Sequence, residues 1–317
     1  MIDAEIIIIG GGPAGSSCAW KLNRAGRDVI LLDKKEFPRL KLCAGWITPK
    51  VVKDLRIDLA RYPHSLLTFN RLNCTIRGLK LPIKTRQYSI RRIEFDDWLL
   101  NRARVNIFHH AANHIHYENG RYIIDDNFRC KVLVGAGGTY CPVYRTFFKE
   151  INPRASEQQI VAMEQEFAYD YADENCYLWF FDNKLTGYSW YVPKGDGYLN
   201  VGIGGKIASL NARGKSIRDH WQSFVSKLEE RALLTGYKLQ PKGYQYYLRQ
   251  NVDIVHHDNA FIIGDSIGLA TKDMGEGIGP AVKSGLRAAD AIIQNKEFSV
   301  QSIAKYSLPG ILFPFRY

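Results

Sequence analysis

The run AEIIIIGGGPAGSSCAWKLNRAGRDVILLDK, residues 4–34, limits what this chain can fold into more than any other stretch. Four consecutive isoleucines are too few for a helical core and read as a strand buried on both faces. Glycines follow at once, then helical periodicity from about Ala14 to Ala25, which Gly26 ends. Val29 to Leu32 is a second buried strand, with Asp33 at its end. This is the opening of a βαβ unit. Gly10, Gly12 and Gly15 stand in the spacing GxGxxG. The first glycine suits a tight turn, the second lets a pyrophosphate reach the backbone, and the third lets helix and strand pack closely. The free N–H groups and positive dipole end of the helix favour phosphate. Asp33 is placed to accept hydrogen bonds from ribose hydroxyls. Pro13, Ala14 and Lys34 complete this candidate dinucleotide site.

A second fingerprint lies near the other end, in FIIGDSIGLATKDMGEGIGPAVKSG. A buried strand delivers Gly264 and Asp265, and Gly275 and Gly277 lead into a helix predicted over about 276–294. An aspartate there can hold the ribityl hydroxyls of a flavin. The helix start, from Ile278, can face the flavin pyrimidine edge, where negative charge develops on reduction. NAD has no ribityl chain, so the two fingerprints together point to FAD.

The residues between them read differently. Residues 64–92 alternate as antiparallel strands, RRIEFDDWLLNRARV reads as a helix, and 105–134 return to strands ending in KVLVGAGG. Residues 158–204 are again antiparallel strands with a KGDG turn, and a helix follows over about 216–233. No internal repeat or low-complexity linker is visible. The expected fold class is α/β, α+β overall: a Rossmann-like FAD-binding domain with a discontinuous antiparallel-sheet substrate domain. The first takes residues 1–70, 90–155 and 250–300, the second 71–89 and 156–249, and 301–317 form a C-terminal tail. That tail ends in SLPGILFPFRY, apolar enough to touch a membrane, dock on the body or begin a further segment.

With 317 residues and 46% hydrophobic content the chain can bury a sizeable core. The net charge of +11 suits anionic partners such as a phosphorylated cofactor or an anionic lipid surface. No arginine-rich run or zinc-finger spacing supports nucleic acid. Six scattered cysteines without a CxxC pair give neither a zinc site nor a disulfide framework, and fit a reducing cytoplasm. No signal peptide is apparent, and no apolar run reaches the roughly 18 residues of a membrane span. His109, His110, His114 and His116 cluster without a partner at metal-ligand spacing and read as a solvated face. Cys141 reads as a core residue, and Lys80 and Lys84 as surface lysines. Tyr244, Tyr246 and Tyr247 read as an aromatic strand, packing or lining a pocket.

In YSWYVPKGDGYLNVGIG, residues 188–204, Tyr188, Trp190 and Val192 alternate as one face of a strand. Alternation alone leaves open whether that face is core or the wall of a pocket for an apolar molecule.

The pieces GGGPAG, KLCAGWI, RRIEFDDWLL, VLVGAGGTYCPVYR, YSWYVPKGDGYLNVGIG and IIGDSIGLATKDMGEGI, in this order, resemble the geranylgeranyl reductase family, within the larger group of FAD enzymes related to aromatic hydroxylases. The resemblance runs over nearly the whole chain. It implies that Gly10, Gly12, Gly15 and Asp33 bind the ADP part of FAD. Lys41 and Cys43 would approach the cofactor near the flavin, and Arg92 would lie beside its phosphates. Gly264 and Asp265 would hold the ribityl and diphosphate region, and Gly275, Gly277 and Ile278 would face the isoalloxazine. Ala136 and Gly137 belong to the same cofactor set. Tyr188, Trp190, Pro193, Gly202 and Gly204 match the substrate-side pattern, with Pro193 ending the strand. Cys43 is also the candidate catalytic residue, as a proton-handling thiol.

Three departures stand out. Gly137-Gly138 replaces an Asp-Gly pair of the related hydroxylases, Val192 replaces a usual phenylalanine, and the family often continues with a further helical segment. The implied activity is reduction of C=C bonds in a prenyl or other apolar chain by hydride from reduced FAD. NAD(P)H or an acidic, ferredoxin-like protein would supply electrons, with peripheral membrane contact. The competing readings are a flavin monooxygenase or halogenase, and a flavin electron-transfer or lipid-binding protein without reductase activity.

Overall fold

The computed structural model describes residues 1–313. β1 (Ile2–Ile9), α1 (Pro13–Arg24) and β2 (Val29–Asp33) open the chain. β3 (Trp46–Ile47), α2 (Pro49–Asp54), β4 (Leu67–Ile76), β5 (Leu79–Ser89) and α3 (Arg92–Ala103) follow. Four strands come next: β6 (Asn106–His109), β7 (Ile115–Glu118), β8 (Arg121–Ile124) and β9 (Phe128–Gly135). β10 (Gln159–Ala168), β11 (Cys176–Phe180), β12 (Gly187–Lys194) and β13 (Tyr198–Lys206) lead into α4 (Ile207–Asn211) and α5 (Ile217–Glu230). The remainder is β14 (Lys242–Tyr247), β15 (His256–His257), β16 (Ala260–Ile262), α6 (Ile278–Gln294) and α7 (Leu308–Leu312).

The chain divides into two compact units. The first comprises Met1–Arg39, Ile93–Ala155 and Tyr247–Ser307. Its sheet runs β15-β16-β9-β1-β2-β6, with β8 on β9 and β7 on β8. β1 lies parallel to both β2 and β9, which leaves Ile6, Ile7 and Ile8 fully buried, as a central parallel strand requires. α1 packs on α6.

The second unit comprises Leu40–Arg92, Ser156–Tyr246 and, among the described residues, those from Leu308 on. The boundary expected at residue 70 thus falls at 39/40. The cause is strand pairing: β3 pairs with β5 and β4 with β5 and β11, so residues 46–76 join the second sheet. Residues 301–307 belong with the first unit rather than with a tail, since the Asp273 carboxylate accepts from Ser307 N and the Thr271 and Ser307 hydroxyls are bonded. The second sheet runs β14-β10-β13-β12-β11-β4-β5-β3. It is not wholly antiparallel as expected, because β4 and β11 pair in parallel.

The two-residue period of a strand sorts this sheet into two unlike faces. One face carries Phe167, Trp179, Tyr191, Leu199, Val201 and Ile203, and packs against Trp221, Phe224 and Leu228 of α5. Burying each large apolar side chain stabilises by about 1.5–3 kcal/mol. Ser216 and Asp219 close the start of α5 with reciprocal capping bonds. The other face carries Glu164 and Glu166 of β10, Asn200, Gly202 and Gly204 of β13, and Tyr188, Trp190, Val192 and Lys194 of β12.

Candidate functional site

In the first unit the βαβ glycines build a cradle from backbone. Gly10 has φ +114°, and a Cβ there would lie 2.4 Å from the Ala136 carbonyl oxygen. A Cβ on Gly15 would lie 1.9 Å from the Gly10 carbonyl oxygen. Both positions therefore demand glycine. Gly12 differs: the nearest atom to its Cβ position is Nη2 of Arg39, 3.6 Å away. That leaves room for a phosphate at the start of α1, next to a guanidinium suited to it. The Asp33 carboxylate accepts from Gly11 N at 2.7 Å and Lys35 N at 2.8 Å. Two anchors fix it and leave lone pairs for sugar hydroxyls.

Gly264 follows β16 with φ +62°, its Cβ position 2.9 Å from the Ala14 side chain. The second fingerprint thus sits beside the first. Asp265 Oδ1 is 3.5 Å from the Cβ position of Gly277, the N-cap of α6, which has no side-chain cap of its own. Arg154 lies over the Tyr144 ring, 3.9 Å from its centroid, and donates to the carbonyls of Thr139, Asp265 and Ser266. These features fit the sugar hydroxyls and phosphates of FAD. Gly10, Gly12, Pro13, Ala14, Gly15, Asp33, Ala136 and Gly264 are brought together. Gly137 opens a short turn after β9. Gly275 and Ile278 flank the start of α6. Lys34 is exposed, and its backbone carbonyl is engaged by His109 Nε2.

Lys41, Cys43 and Arg92 belong to the second unit. Lys41 sits 5.6 Å from the Tyr244 ring centroid. Cys43 is half-buried, and its Sγ accepts from Gly45 N at 3.4 Å. Arg92 is buried as the first residue of α3.

The face of the second sheet away from α5 carries a polar cluster. Glu164 is 2% exposed. Its Oε1 accepts from Cys43 N, and from Asn200 Nδ2 at 3.5 Å. Its Oε2 accepts from the Tyr244 hydroxyl at 3.4 Å. Burial pushes its carboxyl up to about 7, against the hydrogen bonds from Cys43 and Asn200. Asn200 Nδ2 also donates to Cys43 O, and Asn200 Oδ1 accepts from Trp190 Nε1 at 2.7 Å. Lys194 is fully buried, and its ammonium donates to the carbonyls of Ala44, Gly45 and Ile90. Burial draws it down to about 8. The loop at Cys43 is thus held from β12 by the Lys194 side chain and from β10 by Glu164.

Tyr188 and Trp190 do share a face, with ring centroids 5.6 Å apart. Trp190 is buried across β13: a Cβ on Gly202 would lie 2.2 Å from the indole, and one on Gly204 has 3.8 Å. The glycines thus make room for the tryptophan. Pro193 does not end its strand. β12 runs on to Lys194, and the Pro193 carbonyl accepts from Ser89 Oγ.

Among the described residues no group of histidines, cysteines and carboxylates could hold a metal. His110 is bonded to Asp125 at 2.7 Å. Cys141 is buried, and Lys80 and Lys84 are exposed. Tyr244 and Tyr246 stack on β14. Sequence reasoning missed Glu164, Lys194, Asn200, Arg39 and Arg154. Lys194 stands in VPKGDG and reads as a turn lysine; nothing in QIVAMEQEFA separates Glu164 from Glu166.

Residues 5–82 match the family described as FAD dependent oxidoreductase. The cradle and that match define the chain as an FAD-dependent oxidoreductase. An uncharacterised protein of Methanosarcina barkeri is 31% identical over 91% of this chain and 74% of its own length. Digeranylgeranylglycerophospholipid reductase 1 of Methanopyrus kandleri is 24% identical over 92% of this chain and 81% of its own. A geranylgeranyl bacteriochlorophyll reductase-like protein of Thermoplasma acidophilum has the same fold, with TM-score 0.79 at 21% identity over 93% of this chain and 80% of that one. The chain belongs to the geranylgeranyl reductase family.

Proposed function

We propose that this protein reduces carbon–carbon double bonds in the prenyl-type chain of an apolar or lipid molecule. The supporting observation is the face of the second sheet that combines the Tyr188 and Trp190 rings with a buried, hydrogen-bonded acid, Glu164. Aromatic rings offer an apolar chain contact area without charge, and the acid lies on the same face. When bound and reduced, FAD supplies a hydride. The chain's own residues do the rest. The cradle at Gly10, Gly12, Gly15 and Asp33 holds the cofactor's ADP part, and Gly264, Asp265, Gly275, Gly277 and Ile278 its flavin side. Tyr188 and Trp190 offer their rings to the substrate, with Gly202 and Gly204 leaving room for the indole, whereas Pro193, paired with Leu199, turns to the α5 face. The loop carrying Lys41 and Cys43 lies beside the proton source, its Cys43 N–H bonded to Glu164.

Electrons enter from NAD(P)H or from an acidic, ferredoxin-like protein. The net charge of +11 favours the acidic carrier. A lipid substrate implies peripheral membrane contact. Among the described residues no helix is long and apolar enough to cross a membrane.

The test is a single-turnover reduction. Purified protein carrying dithionite-reduced FAD is mixed with a panel of polyprenyl lipids and the products are weighed by mass spectrometry. A gain of two hydrogens per double bond is expected. No gain across the panel overturns the reading, and oxygen uptake matching product would replace it with a monooxygenase.

A further inference from the structure

Two carboxylates, two residues apart on one strand, have unlike surroundings. Glu166 meets the Arg91 guanidinium at 3.0 Å. Among the described residues Glu164 forms no ion pair. It is buried, and its three partners are an amide N–H, the Asn200 side chain and a phenol. Lys194, a buried cation on this face, directs its N–H groups to the carbonyls of Ala44, Gly45 and Ile90. A buried carboxyl without a counter-ion carries its proton more readily than a paired one. The two oxygens are also distinct. Oε1 faces two N–H donors, so a proton on Glu164 sits on Oε2, where its neighbour is the Tyr244 hydroxyl.

We propose that Glu164 is the general acid of this site, passing its proton from Oε2 through the Tyr244 hydroxyl to the substrate carbon that does not receive hydride. This rests on the reductase reading above. The π bond breaks, and its two carbons gain one hydride and one proton. The hydride carries the two electrons that leave the reduced cofactor. The proton comes from Tyr244, whose O–H is remade in the same step from Glu164. Glu164 is left as a carboxylate and recovers its proton from water.

The surroundings support this division of labour. Cys43 from its loop, Lys194 from β12, Glu166 on the same strand and Tyr244 from β14 are the titratable groups facing Glu164. Together with burial they leave its carboxyl at about 7, so the acid is well populated at neutral pH. Burial and the neighbouring Glu164 charge hold the Tyr244 phenol well above its usual range. It therefore relays a proton rather than ionising. Cys43 contributes its backbone N–H to this acid.

The test uses the FAD-loaded protein and its apoprotein. Glu164→Gln keeps an acceptor at Oε1 and removes the proton. Turnover on the lipid reduced by wild type should fall about a hundredfold or more with FAD binding unchanged. Tyr244→Phe should fall with it, and wild-type turnover should decline above pH 7. In infrared spectra of the apoprotein, a protonated-carboxyl band should titrate near pH 7 and be missing from Glu164→Gln. Wild-type turnover in Glu164→Gln, or no such band in the wild-type apoprotein at pH 6, overturns the assignment and leaves the reductase reading standing. A wild-type protein that reduces no prenyl chain overturns both.

Discussion

The glycine cradle and the polar face of the second sheet solve opposite problems. The cradle is made of backbone. Its contribution is absence: no Cβ at Gly10 or Gly15, and open space at Gly12. The polar face is made of side chains taken out of water, Glu164, Lys194 and Asn200, each held by hydrogen bonds to a distant part of the chain. One site prepares for a charged group that arrives with the ligand. The other stores ionisable groups whose proton affinities burial has already altered. A binding role can be built from steric room, whereas acid chemistry needs charge under control.

The sharpest way to break that contrast is Gly12→Val. The Gly12 position has open space, so the apoprotein should melt as wild type does, yet the branched side chain fills the phosphate's place. Purified protein should be colourless, with no flavin absorbance. A yellow protein would remove the phosphate from this loop.

The same contrast explains what could be read from sequence. The cradle is local: glycine spacing, one helix and one strand end lie within a single βαβ unit, and strand β1 announces itself by four isoleucines. The second fingerprint at Gly264 and Asp265 was legible for the same reason. The polar face is assembled from residues 43–45, 90, 164, 194, 200 and 244, which no spacing rule links. Lys194 and Glu164 acquire their character from burial, a property of the folded sheet. The parallel β4–β11 pair was invisible likewise, since each strand's alternation is the same whichever way its neighbour runs. Trp190 lies between these cases. Its face was legible from alternation, but the indole packing over Gly202 needed the register of β12 against β13.

On the polar face the largest effect should come from Lys194→Met. The thioether keeps the packing but removes the ammonium from the carbonyls of Ala44, Gly45 and Ile90, of which that of Gly45 keeps a second donor, Ile90 N. Chemical denaturation should show a loss of about 4 kcal/mol, as for removing one member of a buried polar set. A loss below about 1 kcal/mol would mean that water replaces the ammonium and the Cys43 loop is not held from β12.

The next effect is a pH dependence of the apoprotein. Glu164 has its folded pKa raised from 4.5 to about 7, so the folded state binds its proton more tightly. Its contribution to stability is complete below about 4.5 and is lost as pH rises through 7. The full difference is about 3 kcal/mol. His220 works the other way, because burial lowers its pKa from 6.5 and the fold gains as it becomes neutral. Lys194 likewise gains, but only between about 8 and 10.5. The measurement is therefore the difference between wild type and Glu164→Gln, followed from pH 4.5 to 8, in which the other two groups cancel. A flat difference would show that Glu164 is ionised in the fold.

Cys43→Ser should have the smallest effect and separates the thiol from its backbone. The serine keeps the N–H that Glu164 accepts, and loses the contact of Sγ with Gly45 N at 3.4 Å. Its shorter C–O bond draws the side chain back from that amide, so the loop loosens without losing the acid it holds. FAD content should be unchanged, and turnover should fall by roughly a factor of five, about 1 kcal/mol in the barrier. A fall as large as that of Glu164→Gln would move the proton from the carboxyl to the thiol. The polar face would then work through a half-buried thiol, and the contrast between steric room in one unit and buried charge in the other would no longer describe the chemistry.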